Sequence, residues 1–196
     1  VSLTTAQLVA LTTSQVAVLT TDQIQALTTE QLSNMTTAQV VAFTTAQLVA
    51  LTTDQVSNLA TSQLAALTTL QVQAMETDDL QALTTAQLVT LTTAQIASLT
   101  TDQVVALTTD QISSLKTAQL AALTAKQVAV LETDDLQAIT TAQITAMTTA
   151  QVAALTTDQV VALTSDQVAN LKTTQVAALT TKQIAAMETD DAVSLT

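Results

Sequence analysis

The chain has 196 residues and contains no glycine, proline, cysteine, histidine, tryptophan or tyrosine, and Phe43 is its only aromatic residue. Without histidine, cysteine or a glycine-rich loop, it lacks the usual groups for acid–base catalysis, nucleophilic catalysis and phosphate binding, so we expect no enzyme activity and no small-molecule substrate. Sixteen acidic residues against four lysines give a net charge of −12, which opposes binding to nucleic acid.

The apolar content predicts a folded protein. Apolar residues make up 48% of the chain, and its mean hydropathy of +0.42 is too high for a disordered acidic tail. Threonine and glutamine interrupt the apolar residues throughout, so no run reaches the length of about 18 residues that a membrane span needs. We see no secretory leader pattern, and the first residue is Val1 instead of methionine. We therefore expect a processed or excised piece of a larger protein, with no membrane span.

An eight-residue period organises the whole chain. From Leu3 to Leu195, a leucine or a substitute such as Met35 or Phe43 recurs at every eighth position. The octad consensus is L-T-T-x-Q-[VIL]-x-A, and no linker or insertion interrupts it. The sequence VSLT opens the chain and returns at its end. We therefore predict that residues 1–196 form one uninterrupted array, cut from a longer one.

Each octad carries the signals of a helix start. A threonine at the N-cap and a glutamine three residues later form a capping box, in which each side chain satisfies one free amide. The leucine before the cap and the fourth helical residue have the spacing of a hydrophobic staple, as at Leu99 and Val104. Acids in the first turn suit the helix dipole. Helices of about six residues are therefore predicted in every octad. Examples of the box in chain order are Thr12 with Gln15, Thr36 with Gln39 and Thr100 with Gln103.

Helices this short are unstable alone and must pack against neighbouring octads. The predicted fold class is therefore an all-α superhelical solenoid with one short helix per octad. In one continuous helix, a period of eight would carry the leucines around every face, by about 80° per octad. A β-solenoid could use the threonines and valines, but it needs corners that a chain without glycine and proline supplies poorly. These two folds are the alternatives.

A longer period of 56 residues, or seven octads, lies over the octads. It is visible from residue 19 onward, and the variant ETDD marks it at 76–79, 132–135 and 188–191. The simpler interpretation is a duplicated gene segment. The alternative is that seven octads complete one superhelical turn, which would place the ETDD octads on one side of the coil.

The clustered acids of the ETDD octads are candidate calcium ligands, because calcium prefers carboxylate oxygens. One cluster offers only three side chains of the roughly six to eight oxygens that calcium takes, so clusters from neighbouring turns would have to converge. The interpretation that we favour is a solvated first helical turn whose acids face the helix dipole. We predict no catalytic residue and no other cofactor. The candidates are Glu76, Asp78, Asp79, Glu132, Asp134, Asp135, Glu188, Asp190 and Asp191.

Two resemblances bear on these predictions. The stretches MTTAQVVAF at 35–43 and LTTDQVVAL at 155–163 resemble the first helix of TAL-effector repeats. The second helix, the base-reading pair and the basic stripe of those repeats are missing, so DNA reading is not implied. Over its whole length, the array is similar to octad tracts of large bacterial surface proteins described as haem-utilisation or adhesion proteins or as repeats-in-toxin adhesins. That resemblance implies an extracellular or cell-surface structural repeat.

The predicted function is that of a non-enzymatic spacer, stalk or rod in a large bacterial adhesin. Its partners would be neighbouring repeats or other copies of itself. One alternative is a threonine-rich surface that binds ice or another ordered ligand. A second alternative is a self-assembling filament subunit, because the ends of an uncapped repeat array invite stacking. The leucine and valine rows, with Phe43, are predicted to form the core.

Overall fold

The computed structural model describes residues 3–187, which form 23 short α-helices and no strand. Each helix occupies one octad and has four to six residues. The predicted all-α fold with one short helix per octad is confirmed, and the alternatives of one long helix and of a β-solenoid are wrong. Among the described residues the backbone has no cis peptide bond and no positive φ. Ordinary helical and extended conformations are therefore sufficient to turn the chain without glycine.

The chain divides into two compact units, residues 1–99 and 100–196, and each is described by itself. The helices of the first unit are α1 Thr5–Val9, α2 Thr13–Ala17, α3 Thr21–Gln25, α4 Thr29–Asn34, α5 Thr37–Val41, α6 Thr45–Val49, α7 Thr53–Ser57, α8 Thr61–Ala66, α9 Thr69–Ala74, α10 Thr77–Ala82, α11 Thr85–Leu88 and α12 Thr93–Ser98. Those of the second unit are α13 Thr101–Ala106, α14 Thr109–Ser114, α15 Thr117–Ala122, α16 Ala125–Val128, α17 Thr133–Ala138, α18 Thr141–Ala146, α19 Thr149–Ala154, α20 Thr157–Val161, α21 Ser165–Ala169, α22 Thr173–Val176 and α23 Thr181–Ala186. Both units contain the same octads; the prediction of one uninterrupted array stays a prediction.

The capping boxes set where the helices begin. Thr100 has extended backbone angles, its hydroxyl accepts the amide of Gln103 at 3.1 Å, and the Gln103 Oε1 accepts the amide of Thr100 at 2.9 Å. After α13, Leu107 returns to the extended conformation, with φ −65° and ψ 140°. Because the next N-cap also requires extended backbone, the helix cannot continue beyond this point. The predicted capping boxes are confirmed. A few caps lack a side-chain bond, namely Ala60, Glu76, Lys116, Glu132 and Lys172.

Within each unit, a helix packs against the helices three places before and after it in the chain. In the first unit α7 contacts α4 and α10, and in the second α17 contacts α14 and α20. Hydrogen bonds between successive turns join residues 28 to 31 apart, so one turn takes between three and four octads. The proposal of seven octads per turn is therefore wrong. Each octad contains an extended joint that redirects the chain strongly, and a 56-residue period corresponds to two turns of 28 residues.

The core consists of two rows of apolar side chains. Most residues at the fourth helical position are fully enclosed, as Leu64 shows, although Ile184 in the last turn is 43% exposed, and most staple positions are also buried. Phe43 replaces one staple leucine and is buried, as predicted. Staple positions are buried where turns lie on both sides of them, since Leu3 in the first described octad is 37% exposed and Leu171 in the last turn is only partly buried. The core is thus built between turns, and an octad buries little apolar surface alone.

Candidate functional site

The most distinctive polar feature is a row of buried glutamines at the third helical position. Gln151 is only 2% exposed. Its Oε1 accepts the backbone amide of Thr148 at 2.7 Å. Its Nε2 donates to the carbonyl oxygens of Leu120 at 2.9 Å and Leu123 at 2.7 Å. One amide group therefore completes the cap of its own helix and binds the turn before it. We call this arrangement a glutamine bridge.

The bridge recurs with the same spacing in both units. Gln47 donates to the carbonyls of Val16 and Leu19 at 3.0 and 2.7 Å, at the end of the helix four places earlier. The last carbonyls of a helix have no partner within it, so the bridge supplies donors where the backbone lacks them. No buried side-chain nitrogen or oxygen in residues 3–187 is left without a hydrogen bond. Further bridges lie at Gln39, Gln55, Gln63, Gln71, Gln87 and Gln95 in the first unit and at Gln143, Gln159, Gln167, Gln175 and Gln183 in the second.

The capping-box pattern in the sequence predicts only half of the role of these glutamines, the bond to the N-cap amide. A capping box accepts glutamate as well as glutamine, because either side chain provides the acceptor for the N-cap amide. Every octad nevertheless has glutamine at this position, except the three ETDD octads, and none has glutamate. Only glutamine also carries an N–H donor. The repeated use of glutamine and never glutamate was therefore the feature of the sequence that indicated a second partner for this side chain.

Aspartate takes the glutamine position in the ETDD octads. Asp79 and Asp135 are each 2% exposed. The Oδ1 of Asp135 accepts the hydroxyl of Thr109 at 2.9 Å, and its Oδ2 accepts the amide of Glu132 at 3.2 Å. Asp79 likewise accepts a hydrogen bond from the side chain of Thr53. The partner lies 26 residues earlier, at the first position of the helix three places before.

Burial raises the pKa of Asp79 above its ordinary value. The hydrogen bond from Thr53 lowers the pKa in part, and the charges of Glu76 and Asp78 raise it further. An acid whose folded-state pKa is raised contributes stability fully below its unfolded-state pKa, and that contribution is lost as the pH rises through the folded-state pKa. The ionised Asp79 carboxylate therefore opposes folding near neutral pH.

Asp79→Asn is expected to stabilise the protein at pH 7 by roughly 1 kcal/mol, because it removes a buried charge and keeps an oxygen acceptor for Thr53. The gain should shrink as the pH falls through the raised pKa of Asp79, since the wild-type carboxyl then becomes neutral as well. Thermal melts from pH 7 to pH 3 measure it. The control is Asp22→Asn, at an exposed acid of α3 that occupies the second helical position and does not act on Asp79. Equal pH profiles for Asp79→Asn and wild type would contradict the assignment.

The calcium candidates do not share one environment. Glu76 and Glu132 stand exposed at N-caps, Asp78 and Asp134 are exposed in the first turn, and Asp79 and Asp135 are buried. The interpretation of solvated acids therefore fits the first four and is wrong for the two buried aspartates. Within residues 3–187 no three acidic side chains form a group that could hold a metal ion. Glu188, Asp190 and Asp191 lie outside the described residues. Calcium binding stays a prediction, which a calcium titration of the melting temperature would test.

Exposed acids also form columns on packed helices. In the first unit Glu30, Asp54 and Asp78 occupy the second position of α4, α7 and α10. These helices pack against one another in that order. In the second unit Asp110, Asp134 and Asp158 occupy the same position on α14, α17 and α20. Such columns of one charge keep similar surfaces apart in solution.

Comparison with known proteins identifies the repeat. A family model described as the ALTTAQ repeat matches residues 1–29, 27–61, 72–109, 128–165 and 163–196, which is well over half of the chain. No curated protein matches it. None of the helices between residues 3 and 187 has the length and apolar character that crossing a bilayer requires.

Proposed function

We propose that this chain, which belongs to the ALTTAQ repeat family, is a non-enzymatic spacer or stalk within a large secreted or cell-surface adhesin of a bacterium. The repeat family and the all-helical repeat fold indicate a structural repeat protein. The observation that supports the spacer role is the glutamine bridge, which repeats the same link between turns octad after octad.

The bridge suits a spacer because its acceptors are main-chain carbonyls. Gln159 and Gln167 bind their carbonyl partners at the same separations of 28 and 31 residues, although the side chains at those partners differ. Any octad with glutamine at this position can therefore stack on any other through the same contacts, and added octads of this kind extend the array without a new kind of interface. The partners of each octad in this role are the neighbouring repeats.

The surface supports the same role. Threonines at the second and third positions of the octads are mostly exposed, and the acidic columns add repulsion between copies. A chain with a net charge of −12 resists side-by-side association. Ice binding along the threonines and filament formation stay predictions from the sequence, which ice-recrystallisation assays and light scattering at rising concentration would test.

The decisive experiment measures how far the array extends from a cell surface. One, two or three copies of the chain are placed between a membrane anchor and a fluorescent domain on a bacterial surface, and the height of that domain is measured. A spacer predicts an equal height increment per copy. A disordered linker of the same lengths is the control, and its height should rise only as about the square root of length. The same sublinear rise for the repeat arrays would contradict the proposal.

A further inference from the structure

The link between turns changes character at Asp135. The neighbouring bridge at Gln143 donates two hydrogen bonds to the earlier turn, to the carbonyls of Ser113 at 2.9 Å and Leu115 at 2.7 Å. Asp135 occupies the same position one octad before, but a carboxylate has no N–H to donate. The only side-chain bond it makes to the earlier turn runs in the opposite direction, from the Thr109 hydroxyl. Asp135 therefore makes fewer side-chain hydrogen bonds to the earlier turn than Gln143 does, and it accepts a hydrogen bond where Gln143 donates.

The carbonyls that a glutamine would bind can be located from the spacing. Counting back 28 and 31 residues from position 135 gives Leu107 and Val104, at the end of α13. The Asp135 carboxylate offers them no donor, and its charge repels carbonyl oxygens. The other charged residues of α17, its N-cap and the two helices that it contacts are all acidic, namely Glu132, Asp134, Asp110 and Asp158. At this octad the two donors that a glutamine would supply to the turn before it are therefore lost.

The same substitution occurs at Asp79 in the first unit, where Thr53 again supplies the hydroxyl. The two aspartates are 56 residues apart in sequence. In such an array each turn is stabilised by its contacts with the adjacent turns, so a weaker contact between two turns localises opening at that point. The ETDD octads are therefore candidates for regularly spaced weak points.

We propose that the two ETDD octads at 76–79 and 132–135 are compliant joints, at which one turn separates from the next more readily than elsewhere in the described residues. The joints deepen the proposed spacer function, on which they rest for their biological role, because they give a stalk defined places to open under load. Each joint lies where Asp135 or Asp79 contacts the turn before it, and it requires no bound ligand.

Native-state hydrogen exchange on the full chain tests the joint. The amides of Leu136 and Ile139, which donate to the carbonyls of Glu132 and Asp135, should exchange at least about tenfold faster than those of Ile144 and Met147 at the matching positions eight residues later. Asp135→Gln restores the glutamine found in the other octads and should slow the first pair to the rates of the second. Equal rates in wild type, or no slowing in Asp135→Gln, would overturn the proposal.

Two further variants separate the joint from the altered cap. Glu132→Thr restores only the N-cap hydroxyl, and exchange in the Asp135 octad should stay faster than in the next octad. Thr109→Val removes the reversed hydrogen bond, so it should speed exchange in wild type and have little effect in the Asp135→Gln background. An equal effect of Thr109→Val in both backgrounds would also overturn the joint. Failure of the spacer function would show in the height measurement and leave these rates unchanged.

Discussion

Replacing Gln151 with glutamate is expected to destabilise the protein by about 3–5 kcal/mol, because it buries an uncompensated charge. Glutamate keeps the acceptor for the Thr148 amide, so the capping box survives. It loses the donors to the carbonyls of Leu120 and Leu123, and its carboxylate would face those oxygens in a site that is 2% exposed. Urea denaturation at pH 7, followed by helical circular dichroism, measures the loss.

Gln15→Glu is the matched control for this substitution. Gln15 is exposed and makes the same capping-box bonds, with the Thr12 amide donating to its Oε1 at 2.8 Å. It lies in the first turn of the described residues and has no earlier turn to bind, so the variant should change stability by less than about 0.5 kcal/mol. If both substitutions destabilised the protein equally, the loss of stability would arise in the capping box, and the contact between turns would contribute little.

Leu64→Ala is expected to cost about 2–5 kcal/mol, because it leaves a cavity between two turns. Leu64 is fully buried at the fourth position of α8, and this helix packs against α5 and α11. Neither turn can fill the space without breaking the bridges that fix their spacing. Thermal and urea denaturation of the full chain give the change in free energy of unfolding.

The control for the core variant is Leu70→Ala in the neighbouring helix. Leu70 is 69% exposed, so its removal should change stability by less than about 0.5 kcal/mol. A large loss from Leu70→Ala would mean that the exposed side of α9 is covered in solution. Equal small losses from both variants would show that the row of fourth-position residues is not the main core.

The local structure could be predicted because each octad contains its own signals. Thr108 and Gln111 form the box at the predicted spacing, and Leu107 and Ile112 at the staple positions are both buried. These residues lie at most five positions apart, so their spacing can be seen directly in the sequence. The need for a solenoid followed from the shortness of the helices, which cannot be stable without neighbours.

The geometry between turns could not be predicted in the same way. The bond from Gln151 to Leu123 spans 28 residues, and it depends on the angle that the extended joint adds at each octad. Small changes in that angle accumulate around a turn, so the eight-residue period alone does not fix the number of octads per turn. The burial of Asp135 depends on the same geometry. For that reason the ETDD acids were all expected to be solvated, and two of the three in each described octad are.

The use of main-chain acceptors in the glutamine bridges also has a genetic consequence. Deleting or duplicating one whole octad changes which carbonyls lie 28 and 31 residues before a glutamine such as Gln151, but equivalent carbonyls take their place. No compensating substitution is needed, so unequal recombination between repeats can lengthen or shorten the array and leave it folded. A joint adds one condition, since Asp135 needs a hydroxyl at the position of Thr109. Duplication of a 56-residue segment copies both residues together, which preserves the joints as the gene expands.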